Sequence, residues 1–233
     1  MPPPSPVPVP TAPSGRFRST RSSLGKFANT GDRASLRQGV GHYIKSGLGG
    51  SATATRRFAS TARTAQSLYG ALGGGTAEGE PRSVDARLTE SESAREAIAV
   101  VVEIACPVDG TQDAEASRQS INDALSELLK RFPDADLLNL SEAERSFVIE
   151  RFVGMDVFRR FVLDVGSAIQ SKAASATVAV ARLKEAREFI RETVAASFKK
   201  LRDQGQRLSG KSITQTVQRV LRDALDVFSG YAE

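Results

Sequence analysis

From Met155 to Arg202 the chain sets Phe158, Phe161, Val165, Ile169, Ala176, Leu183, Ile190, Val194, Phe198 and Leu201 at spacings of three, four or seven, uninterrupted by proline. That is the period of an amphipathic helix, and no strand sustains it over such a length. One very long helix, or two joined near Ser175, is therefore predicted. Lys184 with Glu188, and Glu188 with Arg191, stand at spacings that bring opposite charges together on its solvated side. Upstream, Thr89 and Glu92 read as a capping box for a helix carrying Ala94, Ile98, Val101 and Ala105 and ending at Pro107. Ile121, Leu125, Leu128 and Phe132 mark the next, stopped by Pro133. Ser141 with Glu144 caps a third, bearing Phe147, Ile149 and Phe152 and ended by Gly154. Ser212 with Gln215 opens a last helix through Phe228. No alternating strand competes, apart from a buried-strand reading of Ala97 to Ile104, so the fold class is all-α, with a C-terminal helical bundle.

The front of the chain has a different character. Seven of the ten prolines fall in the first thirteen residues, MPPPSPVPVPTAP, which favours extended polyproline II and predicts a disordered arm over 1–15. Twelve of the nineteen glycines follow between Ser14 and Gly75, among ten Lys or Arg and one acid, Asp32. Residues 1–75 carry a charge of +9 and the remainder −4, so the net +5 conceals a strongly polarised chain. Asp32 is a candidate N-cap for a helix to Ser46, and Phe58, Ala62, Ala65, Leu68, Tyr69 and Leu72 mark a second from Ala52 to Leu72. The expected organisation is an arm over 1–15, a basic Gly-rich helical region over 16–75, a linker over 76–83 and a bundle over 84–233.

Several function classes are excluded by what is scarce. With one Cys, Cys106, and one His, His42, in 233 residues, neither a disulfide nor a Cys/His zinc framework can be assembled, and a reducing compartment is implied. The longest apolar run, Ala97 to Val102, is six residues, far short of the ~20 needed to span a bilayer. With no secretory signal visible, a cytoplasmic location is expected. No pair of acids suggests general acid–base work, so no catalytic residue, cofactor or metal ligand is assigned and a non-enzymatic role is expected.

Two motifs carry potential chemistry. Gly205, Gly210, Lys211 and Ser212 stand in the run GQRLSGKS at the fixed positions of G-x-x-x-x-G-K-[ST], a nucleotide-binding pattern. In such a loop the backbone N–H groups around Gly205 and Gly210 would wrap phosphates, Lys211 would neutralise charge and Ser212 would hold Mg²⁺. A genuine phosphate loop follows a buried strand, whereas this one follows the charged helical stretch Phe198 to Asp203, so a turn with Gly205 ending one helix and Ser212 capping the next competes. Gly47, Gly49 and Ala52 fit a dinucleotide fingerprint with neither the strand nor the acid that it requires; glycines at 47, 49 and 50 read better as a sharp turn.

The basic block has two readings. Arg16, Arg18, Arg21, Lys26, Arg33, Arg37, Lys45, Arg56, Arg57 and Arg63, with His42 and Tyr43 among them and Phe17, Phe27 and Phe58 interleaved, could contact phosphates and stack bases. Equally, they could dock on an acidic protein surface, for which the −4 remainder of this chain is one candidate. The apolar stripe of 155–201 is long enough to take a partner helix, so oligomerisation is kept open as well.

From Arg16 to Leu72 the runs SLGKF, GHY, GLGGS, TATRRF and RTAQSLYGAL occur in that order. The block resembles the N-terminal part of QatB-type proteins of the bacterial Qat anti-phage system. The resemblance implies a defence subunit without a catalytic motif of its own, working beside an ATPase, an enzyme similar to QueC-type 7-deazaguanine synthases and a TatD-like nuclease. It also associates a Gly after the initiator Met with modification of the N-terminus by the QueC-like partner. Pro2 stands there in this chain, and its crowded secondary amine argues against that modification.

Overall fold

The computed structural model describes residues 15–73 and 86–232; the Pro-rich arm and the expected linker 76–83 lie outside the described residues. Ten α-helices follow one another, and no strand occurs among the described residues. They are α1 (Arg18–Thr30), α2 (Arg33–His42), α3 (Ser51–Arg57), α4 (Ala59–Ala71), α5 (Ala86–Thr89), α6 (Ala94–Ala105), α7 (Gln112–Arg131), α8 (Glu142–Lys172), α9 (Ala176–Asp203) and α10 (Ile213–Gly230). The run with the alternative reading as a buried strand, Ala97 to Ile104, is the body of α6.

The bundle helices start where the capping chemistry places them. At α8 the Ser141 hydroxyl accepts from the Glu144 N–H at 3.3 Å, while the Glu144 carboxylate accepts from the Ser141 N–H at 2.7 Å. Asp113 and Glu115 in the first turn of α7, with Lys130 and Arg131 in its last, complement the helix dipole. Other boundaries differ from expectation. α6 is capped by Ser93, whose hydroxyl accepts from the Glu96 N–H, because Thr89 is taken up as the last residue of α5. Ser212 precedes α10 without capping it, since its hydroxyl faces that of Ser209 at 2.8 Å.

Gly154 does not end a helix: α8 runs through it to Lys172, and the break in the long apolar pattern falls at Ala173–Ser175, giving two helices. The glycine is there because α9 crosses at that point, where a Cβ would stand 3.3 Å from the Arg191 Cα. Arg191, expected beside Glu188, instead reaches across to Glu127 at 2.8 Å. In the basic region α1 is an addition to the expected elements, and the helix expected over 52–72 is divided at Phe58. α2 continues as a π-helical turn, Tyr43–Gly47, after which Gly49 and Gly50 take positive φ of 79° and 90° and turn the chain into α3.

α8 is the axis of the molecule, with α7 and α9 along two sides and α1 and α4 over another; α10 packs on α9, α4, α3 and α2. One apolar cluster runs through all of it. Leu24 and Phe27 of α1 and Leu68 of α4 are as completely buried as Phe152 of α8, Leu125 of α7 and Phe228 of α10. Burying each such side chain contributes about 1.5–3 kcal/mol, so the basic region is held to the bundle by the same force that holds the bundle together. The linker thus separates two parts of the chain that share one core.

Candidate interaction surface

The ten cations of the basic region, alike in sequence, meet different fates. Arg57, at the end of α3, is half-buried and grips Asp113 at the start of α7 with both terminal guanidinium nitrogens, Nη2 at 3.0 Å. Behind it Asp113 also meets Arg160 of α8 at 2.8 Å. Arg160 then donates through Nε to Asp156 Oδ2 at 2.8 Å, one turn back on the same helix. Asp156, fully buried, accepts in addition from Thr61 Oγ1 at 2.5 Å and from Ser117 Oγ at 2.7 Å. The chain Arg57–Asp113–Arg160–Asp156 thereby ties α3 and α4 to α7 and α8. Hydrogen bonding from Arg57 is the chief reason that the Asp113 carboxyl sits below its ordinary range, and the same bond raises the guanidinium of Arg57.

Tyr43 is also drawn inward. It is 1% exposed, donates to Asp164 Oδ2 at 2.8 Å and packs edge-on against Phe161 with 5.2 Å between ring centres. Burial above all, with Asp164 adding to it, pushes its hydroxyl well above the ordinary tyrosine value. Phe27 and Phe58 are fully buried too, so of the aromatics interleaved with the cations only Phe17 keeps a partly open ring, and Arg16 already lies over it at 4.9 Å. His42, half-buried, closes α2.

What remains outward is a set of cations on fixed helices. Arg18, Arg21 and Lys26 project from α1, Arg37 from α2 over the Tyr231 ring at 5.7 Å, Arg56 from α3 and Arg63 from α4. Arg16, also exposed, donates to the Gly47 carbonyl. Among the described residues, Arg18, Arg21, Arg56 and Arg63 have no carboxylate within ion-pairing distance. Arg18 and Arg21 stand one turn apart on the same helix.

Gly205 to Ser212 joins α9 to α10, so the loop leaves a helix and not the sheet strand that a phosphate loop requires. Gly205 takes φ 74° as α9 ends; its N–H donates to the Arg202 carbonyl at 2.9 Å, and that of Gln206 to Leu201 at 3.1 Å. Gly210, half-buried, lies inside the turn that the Ser212 N–H closes on the Ser209 carbonyl at 3.0 Å. The amides of Gly205, Gln206 and Ser212, which the nucleotide reading would aim at phosphates, are thus engaged in ending one helix and starting the next. Lys211 is exposed, and the Ser212 hydroxyl faces Ser209. The first half of the loop borders a cleft of about 1150 Å³ whose wall includes Phe132, Phe147, Arg151 and Arg202. Two of its cations are matched within the wall: Arg202 meets Glu150 at 2.7 Å, and Arg151 meets Glu127 at 3.6 Å.

The polar cluster around Asp156 went unmarked in the sequence because its members come from four helices. One signal was available: Asp156 and Arg160 stand four residues apart between the apolar Phe152 and Phe161, where a solvated pair is out of place. Among the described residues no three His, Cys, Asp or Glu gather as metal ligands, and no helix is long and apolar enough to cross a membrane. Cys106 is buried, and burial raises its thiol above the ordinary value.

No curated protein and no solved structure matches the chain. A protein-family model does: residues 49–228 match the one described as "Qat anti-phage system associated protein QatB". The match begins inside the basic region and runs from α3 to Phe228 of α10, taking in nearly all of the bundle as well as about the last two fifths of the block that carried the resemblance. Over most of its length, then, the chain is built to one family's pattern, and it belongs to the QatB family of the Qat anti-phage system.

Proposed function

We propose that the chain serves this system as a non-enzymatic subunit, using the outward cations of α1, α3 and α4 to bind an acidic surface on another component. The candidates are the ATPase, the QueC-like enzyme and the TatD-like nuclease that the resemblance implies. One observation carries the reading: Arg18, Arg21, Arg56 and Arg63 stand exposed without acidic partners among the described residues, on helices clamped to the bundle through Arg57 and a common core. A charge pattern fixed on a rigid support presents a defined geometry to its partner, which favours rate and specificity of association.

Co-purification with the other components tests it, comparing the natural chain with one carrying Arg18→Glu, Arg21→Glu, Arg56→Glu and Arg63→Glu. Loss of the complex at unchanged helicity is expected; complexes that survive the four reversals would remove these cations from the interface. The competing reading, contact with nucleic acid, is weakened by the burial of Tyr43, Phe27 and Phe58, which leaves few rings for stacking. It predicts duplex binding that falls steeply between about 50 and 200 mM salt, and salt-independent behaviour would dismiss it.

A further inference from the structure

Four large apolar side chains stand exposed among the described residues: Val108, Leu163, Val180 and Val227. Two of them, Leu163 at 45% and Val180 at 68%, belong to one groove of about 620 Å³ formed by α7, α8 and α9. A third, Val108 at 70%, is in the loop four residues ahead of Gln112, where α7 begins and borders the groove. Phe158, Val162 and Leu183, each partly buried, complete the apolar lining. Contiguous apolar surface of this kind marks a contact site, because single exposed residues need no explanation and a clustered set does.

The two margins of the groove carry opposite charge. On α9, Val180, Leu183, Lys184 and Arg187 recur at the spacing of one helix face, and neither Lys184 nor Arg187 has a carboxylate within ion-pairing distance among the described residues. On the α7 side stands Glu115, 60% exposed and only 3.9 Å from its nearest cation, Arg118. An acidic helix from another protein would satisfy the α9 margin and confront the α7 margin with like charge. A second copy, turned about a two-fold axis that runs parallel to α8 in the plane of contact, satisfies both at once, since each acidic edge then faces the other copy's basic edge.

We propose that this face joins two copies of the chain in an isologous dimer, with the exposed parts of Leu163 and Val180 buried at its centre. The face takes in about two turns of α9, Val180 to Arg187, with the neighbouring turns of α7 and α8 that complete the groove. The proposal is independent of which other components bind the cations of α1, α3 and α4.

Sedimentation of the full chain from ~1 to ~100 µM, a range that brackets micromolar dissociation constants, tests it. A concentration-dependent doubling of mass is expected. Leu163→Asp and Val180→Asp should each raise the dissociation constant at least tenfold while helicity and melting stay unchanged. Two further variants, Lys184→Glu with Arg187→Glu and Gln112→Lys with Glu115→Lys, should each be monomeric alone and form a heterodimer when mixed. A monomer at every concentration would overturn the proposal and leave the face to a different partner. A dimer untouched by the apolar variants, or charge variants that do not recover on mixing, would overturn it equally.

Discussion

Replacing Asp156 by Ala should be among the most destabilising single changes in the molecule. The carboxylate is fully buried and accepts from Thr61, Ser117 and Arg160 at 2.5, 2.7 and 2.8 Å. Its loss leaves two hydroxyls and a guanidinium, itself 1% exposed, short of a partner. Breaking a buried pair from one side costs about 3–5 kcal/mol. Arg160 keeps Asp113 at 2.8 Å, which places the expected loss at the lower end, about 3 kcal/mol. For a chain of this length, with a urea dependence of ~2–3 kcal/mol per molar, the unfolding midpoint should drop by about 1–1.5 M. The corresponding fall in melting temperature is roughly 6–12 °C. Far-ultraviolet circular dichroism is the assay, because the chain has no Trp to report by fluorescence. Adding Arg160→Met removes the stranded charge, so the double variant should regain at least ~1 kcal/mol relative to the sum of the single losses. A loss under ~1 kcal/mol for Asp156→Ala, or strict additivity in the pair, would refute the claim that these groups hold one another.

Other outcomes follow from named contacts. A Cβ on Gly41 would meet the Ala232 amide nitrogen at 2.5 Å and the Tyr231 carbonyl carbon at 2.7 Å, so Gly41→Ala should destabilise by about 1–3 kcal/mol in urea unfolding. Gly70, inside α4 with nothing within 4 Å of such a Cβ, should instead stabilise by about 0.5–1 kcal/mol on replacement by Ala. In acid, Asp113 has a folded value below its ordinary 3.8, held there chiefly by Arg57, so the stability linked to it is complete above 3.8 and drains away as pH falls through the folded value. Urea midpoints of the natural chain and of Asp113→Asn should therefore differ at neutral pH and converge below pH 3.8; a constant difference down to pH 2 would contradict the assignment.

Helices whose apolar period is strong and whose ends carry chemical punctuation are legible in the sequence. α8 begins and α7 ends where Ser141 and Pro133 place them, because those signals act within a few residues. α1 is not legible, since only Leu24, Phe27, Ala28 and Thr20 of its thirteen residues are buried and its polar face dominates the pattern. Gly154 misleads because a glycine that ends a helix and one that lets another helix approach look the same in one dimension. Among the cations the obstacle is of the same kind. Arg56 and Arg57 are neighbours of identical chemistry, and what separates a surface charge from a structural one is Asp113, which stands 56 residues away along the chain.

The sharing of a single core between the two ends of the chain has a consequence for how the protein is made. Leu24, Phe27 and Val40 find their cover on α8, α9 and α10, parts that leave a ribosome long after them. At synthesis rates of 5–20 residues per second, roughly 8–30 s separate the emergence of Leu72 from that of Phe228. Throughout that interval the first four helices must wait with their greasy sides bare, a state in which nascent chains stick to one another unless a chaperone shelters them. Acquisition of the native form is thus deferred until α10 has emerged, and anything that stalls synthesis ahead of that helix leaves the first four with nowhere to settle.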